Sequence, residues 1–97
     1  MEDPVDVLRA IAIREATPYV EEAILRVAWA RQAYVLRSVH LFSTKHFMGL
    51  SASYENAKSA LEHARWRLRE GAAALAITHA KYAIDYANRV FTYPAEV

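Results

Sequence analysis

Only five residues in this chain can punctuate a helix: Pro4, Pro18, Gly49, Gly71 and Pro94. Proline lacks a backbone donor and clashes with the carbonyl four residues back, while glycine accepts the left-handed conformation in which helices end. The positions of these five residues therefore limit where helices can begin and stop. The rest of the chain supplies 19 alanines among its 97 residues, with no low-complexity tract and no exact repeat. Such a composition suits closely packed helices rather than sheets and turns. The sequence reads as one all-α domain over residues 1–97, a three- to four-helix bundle.

The helix boundaries follow from this punctuation. Asp3-Pro4 with Asp6 in the first turn opens a short N-terminal helix to about Ala16: an N-cap carboxylate, a first-turn proline and favourable negative charge. Thr17-Pro18 followed by Glu21 and Glu22 repeats the signal. A break is expected there, followed by a long second helix from Pro18 to about His46 that Gly49 stops. Ser51 or Ser53 is positioned to cap a third helix ending at Glu70, with Gly71 just beyond. A fourth helix should run from Ala72 to about Phe91, before Pro94. The short turn at Gly71 makes the last two helices an antiparallel hairpin.

Helical periodicity assigns the faces. Tyr54, Ala57, Leu61, Ala64 and Leu68 recur at steps of three and four and mark the packed face of the third helix. Ala76, Ala80, Ala83, Ala87 and Val90 form the seam of the fourth, widened by Leu75, Ile77, Ile84 and Phe91. Leu61 and Ile84 are expected in the core, where truncation to alanine would cost about 2–4 kcal/mol if burial is complete.

The long helix carries two apolar faces. Val20, Ile24, Val27, Ser38 and Phe42 cluster on one, flanked by Tyr34, Val35 and Leu41, while Leu25, Trp29 and Leu36 lie nearly opposite. A short first helix cannot cover the whole second face. Trp66 stands about 160° from the apolar stripe of its own helix, among Glu55, Ser59, Glu62 and Glu70. Aromatic side chains are favoured where interfaces exclude water. Leu25, Trp29, Leu36 and Trp66 are therefore the candidate interface, and the partner expected is a second copy, with a dimer favoured.

Charge is unevenly distributed beneath a net value of +1. Residues 26–69 hold eight basic and two acidic side chains, a balance of +6; the others hold four basic and nine acidic, a balance of −5. Such segregation favours antiparallel pairing between copies. It also leaves Lys58, Arg65 and Arg69 as a basic stripe for nucleic acid, with Arg67, Arg37 and Lys45 nearby.

Several chemistries are excluded or unsupported. Without cysteine there is no disulfide framework, zinc–thiolate site or thiol nucleophile. Two glycines 22 residues apart build no phosphate loop, and no HExxH, Glu-x-x-His or Ser-His-Asp pattern occurs. Glu62-His63 is the nearest approach to a metal pairing, but neighbouring helix positions point about 100° apart. His40 and His46 fall near a helix end. His79 shares an edge with Tyr82 and Tyr86, which reads as a hydrogen-bonded cluster without a nucleophile to activate. No catalytic, cofactor-binding or metal-ligating residue is nominated. The opening MEDPVDVL lacks a basic region followed by an apolar run, and no 18-residue apolar stretch exists, so no membrane association and a cytoplasmic location are expected.

Residues 53–91 resemble a group of small archaeal helical-hairpin proteins of unknown function, through Tyr54, Ala57-Lys58, Gly71, Ala76, Tyr82-Ala83 and Asp85, with Ala52 just before. The stretch GAAALAITHAKYAIDYANRV is also similar to the alanine-rich helix of HEPN helical domains, whose members include RNases and nucleotide-binding partners. Nuclease members of that family carry an arginine followed by a histidine after four to six intervening residues. Here Arg31 and His40 are separated by eight residues, Arg37 and His40 by two, and Arg69 and His79 by nine. The resemblance implies at most an HEPN-like nucleotide-binding or nuclease-related domain without the catalytic pair. The main expectation is a non-enzymatic helical interaction or structural protein that self-associates, with an RNA- or DNA-binding accessory role as the alternative.

Overall fold

A computed structural model describes residues 3–38 and 44–92, apart from the side chains of residues 44–46. It contains three helices, α1 (Pro4–Ser38), α2 (Thr44–Arg69) and α3 (Ala73–Thr92), and no strand among the described residues. His40, Leu41, Phe42 and Pro94, named above, lie outside the described residues, as do the side chains of Lys45 and His46.

The expected break between the first two helices is absent: Pro18 sits inside one continuous 35-residue helix. The reason is local. Pro18 cannot donate to the Arg14 carbonyl, but both residues lie on the exposed side of the helix, where water can stand in for the missing donor. The neighbouring Thr17 hydroxyl donates to the Ile13 carbonyl at 2.8 Å. The start of α1 is as expected, with Asp3 Oδ1 accepting from the Val5 N–H at 2.9 Å.

Two further boundaries differ. The helix expected to reach His46 is described only to Ser38, and α2 begins at Thr44, so Gly49 lies within a helix instead of ending one. Ser53 is not a cap either: its hydroxyl donates to the Gly49 carbonyl at 3.1 Å, one turn back. The hairpin turn matches the sequence reading. Gly71 has φ +82°, the Ala72 N–H donates to the Arg67 carbonyl at 2.9 Å, and the Gly71 N–H donates to Leu68 at 3.1 Å. This pair of bonds is a Schellman motif.

Cross-helix contacts fix the directions. A Cβ at Gly71 would lie 3.4 Å from Arg9 Cδ, which places the hairpin turn against the beginning of α1. Tyr34 stacks on Tyr54 with ring centroids 4.9 Å apart, so α2 runs antiparallel to α1. Lys81 lies over the Tyr19 ring, so α3 runs alongside α1 in the same direction. At 1.5 Å per residue α1 is about 52 Å long and α3 only about 30 Å. The molecule is consequently a rod of 64 × 16 × 14 Å.

Its core is built from small side chains. Among the described residues, ten of the fifteen buried hydrophobic ones are alanines, joined by Val20, Val27, Leu50, Tyr54 and Val90. Leu61 and Ile84 are only half-buried at its margin. Their truncation should therefore cost less than expected for a complete burial, about 1–2 kcal/mol.

Candidate functional site

Continuity through Pro18 gives α1 two complete faces. Ala16, Val20, Ala23, Val27 and Ala30, at steps of four and three, are buried, and Tyr34 continues the series half-buried. On the opposite side, Ile11, Leu25, Trp29 and Leu36 are exposed, and Leu8 is exposed on the flank of that side. With apolar residues on both sides, α1 is barely amphipathic.

Leu25 and Trp29 are each 54% exposed and Leu36 68%, with Val35 beside them at 56%. An open depression of about 630 Å³ borders this surface, lined by Ala28, Arg31, Gln32, Val35 and Leu36. Arg26 donates to Glu22 at 2.8 Å, and its guanidinium lies 5.9 Å from the centre of the Trp29 ring. The indole is thus held beside an ion pair without being covered.

Trp66 occupies a separate setting on α2. It is 43% exposed, with the Arg67 guanidinium 4.4 Å from its ring centre and His63 at 6.3 Å. Arg67 also donates to Glu70 Oε2 at 3.1 Å, while its Nε is buried without a hydrogen-bond partner. His63 in turn stacks on His79 of α3, with centroids 5.3 Å apart. The structure thus ties Trp66 to the α2–α3 side and Leu25, Trp29 and Leu36 to α1, rather than joining all four in one cluster.

The histidine–tyrosine edge is present as ring contacts. His79 meets Tyr82 edge-on at 6.4 Å, beside a depression of about 240 Å³ lined by residues that include Asn56, Ser59 and Tyr86. Burial lowers the His79 pKa below its usual 6.5, and the positive charges of His63 and Arg67 lower it further. Sequence alone did not pair His63 with His79, because helical spacing relates positions within a helix and not across two. No group of three or more histidine or acidic side chains suited to a metal ion occurs among the described residues.

The basic stripe is partly engaged. Lys58, Arg65 and Arg69 are exposed on α2 and span about 16 Å. Lys58 Nζ lies 3.7 Å from Glu55 Oε2 and 5.4 Å from the Tyr54 ring centre. Folding also weakens the charge segregation seen along the sequence, since antiparallel α2 returns Arg65–Arg69 toward the acidic beginning of α1. No described helix is long and apolar enough to cross a membrane.

No family model, curated protein or solved structure matches this chain.

Proposed function

We propose that this chain is a non-enzymatic helical interaction protein that self-associates through the outward face of α1. The observation that carries this reading is the exposure of Leu25, Trp29 and Leu36 on one side of a helix whose other side is already packed. Large apolar side chains contribute most when a contact removes them from water, and Trp is among the residues that dominate interface energetics. The alanine core adds force to the argument. Each buried methyl contributes roughly 0.8 kcal/mol, against about 1.5–3 kcal/mol for a larger aliphatic side chain, so the isolated rod gains modestly from its own interior.

Sedimentation equilibrium over a micromolar range tests the proposal. A concentration-dependent species at twice the 11.0 kDa chain mass is the expected outcome. A strictly monomeric protein throughout would overturn it.

The second reading, an accessory nucleic-acid-binding role, rests on the exposure of Lys58, Arg65 and Arg69 along one face of α2. It requires binding to short RNA or DNA that weakens steeply with salt. Affinity unchanged in the triple alanine variant of these residues would remove it.

A further inference from the structure

We infer that the partner on this face is a second copy of α1 lying antiparallel, in a register that sets residue i against a residue near 47 minus i. This rests on the self-association proposed above and specifies its geometry. It depends on an observation the sequence reading did not supply, namely that α1 is uninterrupted from Pro4 to Ser38.

An uninterrupted α1 reveals an outward series of Leu8, Ile11, Glu15, Pro18, Glu22, Leu25, Trp29, Gln32 and Leu36. Every member is exposed, and the steps alternate strictly between three and four. This is the a/d spacing with which two helices pack along a shared seam. The seam is weakest in the middle, at Glu15, Pro18 and Glu22, and strongest toward Leu36.

Charge selects the orientation. Residues 3–22 carry Asp3, Asp6, Glu15, Glu21 and Glu22 against Arg9 and Arg14, a balance of −3. Residues 23–38 carry Arg26, Arg31 and Arg37 with no acidic residue, a balance of +3. Parallel pairing would place like on like over both halves. Antiparallel pairing sets the acidic half of each copy against the basic half of the other, the arrangement that complementary potentials favour.

Charge and the length of overlap then choose the register. With facing numbers summing to 47, Ile11 meets Leu36 of the second copy, Pro18 meets Trp29, Glu15 meets Gln32, and Glu22 meets Leu25. Glu21 lies level with Arg26. The depression bordered by Arg31, Gln32 and Leu36 is where Ile11 and Glu15 of the second copy would arrive. A sum of 40 sets Arg26 level with Arg14 and Arg31 level with Arg9, and a sum of 54, though it pairs Leu25 with Trp29, leaves residues 3–15 with no α1 residue of the second copy opposite them.

The absence of cysteine from the chain makes the test clean. Single variants Glu15→Cys and Gln32→Cys replace polar seam residues, and a short bis-maleimide links thiols that face each other. The mixture of the two variants should give a covalent dimer, with much less from either alone. Efficient linkage of each variant to itself would overturn the antiparallel orientation, and no linkage in a sample that sediments as a dimer would overturn the register. In both cases self-association would stand, whereas a chain that sediments only as a monomer would defeat both proposals.

Discussion

The two faces of α1 reverse the usual allocation of side-chain size. The buried face carries Ala16, Ala23 and Ala30 with Val20 and Val27, whereas the exposed face carries Leu25, Trp29 and Leu36. Small residues let backbones approach closely, but they withdraw little apolar area from water. The inner face therefore determines how closely α2 and α3 can pack. The outer face holds more unburied apolar surface than the isolated rod uses.

The largest break in this comparison should come from one of the few large side chains that are internal. Leu50 is essentially fully buried, and Leu50→Ala should lower unfolding stability by about 2–4 kcal/mol in denaturant titration. A loss under about 1 kcal/mol would mean that the site collapses around the missing atoms and that Leu50 is not a fixed part of the core.

A somewhat smaller effect is expected from enlarging the inner face. Ala23 has no solvent exposure, and Ala23→Leu must force the helices apart or displace neighbouring side chains. We expect a loss of about 1–3 kcal/mol, despite the added apolar area. Stabilisation by this variant would show that the alanine face has room to spare and would remove the contrast with the outer face.

Trp29→Ala sharpens the comparison from the other side. Because the indole is half exposed, the unfolding stability of the monomer should change by no more than about 0.5 kcal/mol. Dimerisation, by contrast, should weaken strongly. Trp66→Ala should leave dimerisation unchanged, since Trp66 is packed with Arg67 and His63 rather than along α1. Equal loss of the dimer in both variants would return the two tryptophans to a single surface.

The all-helical character, the N-cap at Asp3, the Gly71 turn and the alanine seam of α3 were legible because each depends on local geometry or periodicity. The fate of Pro18 was not. Whether proline ends a helix depends on what becomes of the carbonyl four residues back, and exposure of Arg14 is a property of the packed rod. Gly49 failed as a stop signal for a related reason. Glycine permits a helix to end without compelling it, and Leu50 just beyond it is held in the core. The outward residues Leu25, Trp29 and Leu36 were recognisable from spacing, but the long seam containing them emerged only once Pro4–Ser38 proved continuous.

The smallest expected effect lies on the α2–α3 side and concerns protons. Burial, then His63, then Arg67 depress the pKa of His79, so the unfolded chain takes up a proton at this site more readily than the folded chain. Stability should accordingly be retained above the unfolded value of about 6.5 and fall as the pH drops through that value toward the folded one. The loss is expected to be slight, because the His63–His79 stack borders an open depression where solvent screens the repulsion. His79→Gln removes both the depressed group and its repulsion with His63, so its thermal midpoint should vary less between about pH 5 and pH 7.5 than that of the parent protein. If the two pH profiles coincide, the His63–His79 stack does not couple protonation to folding. In that case the acid sensitivity of this side would arise from groups other than the stacked pair.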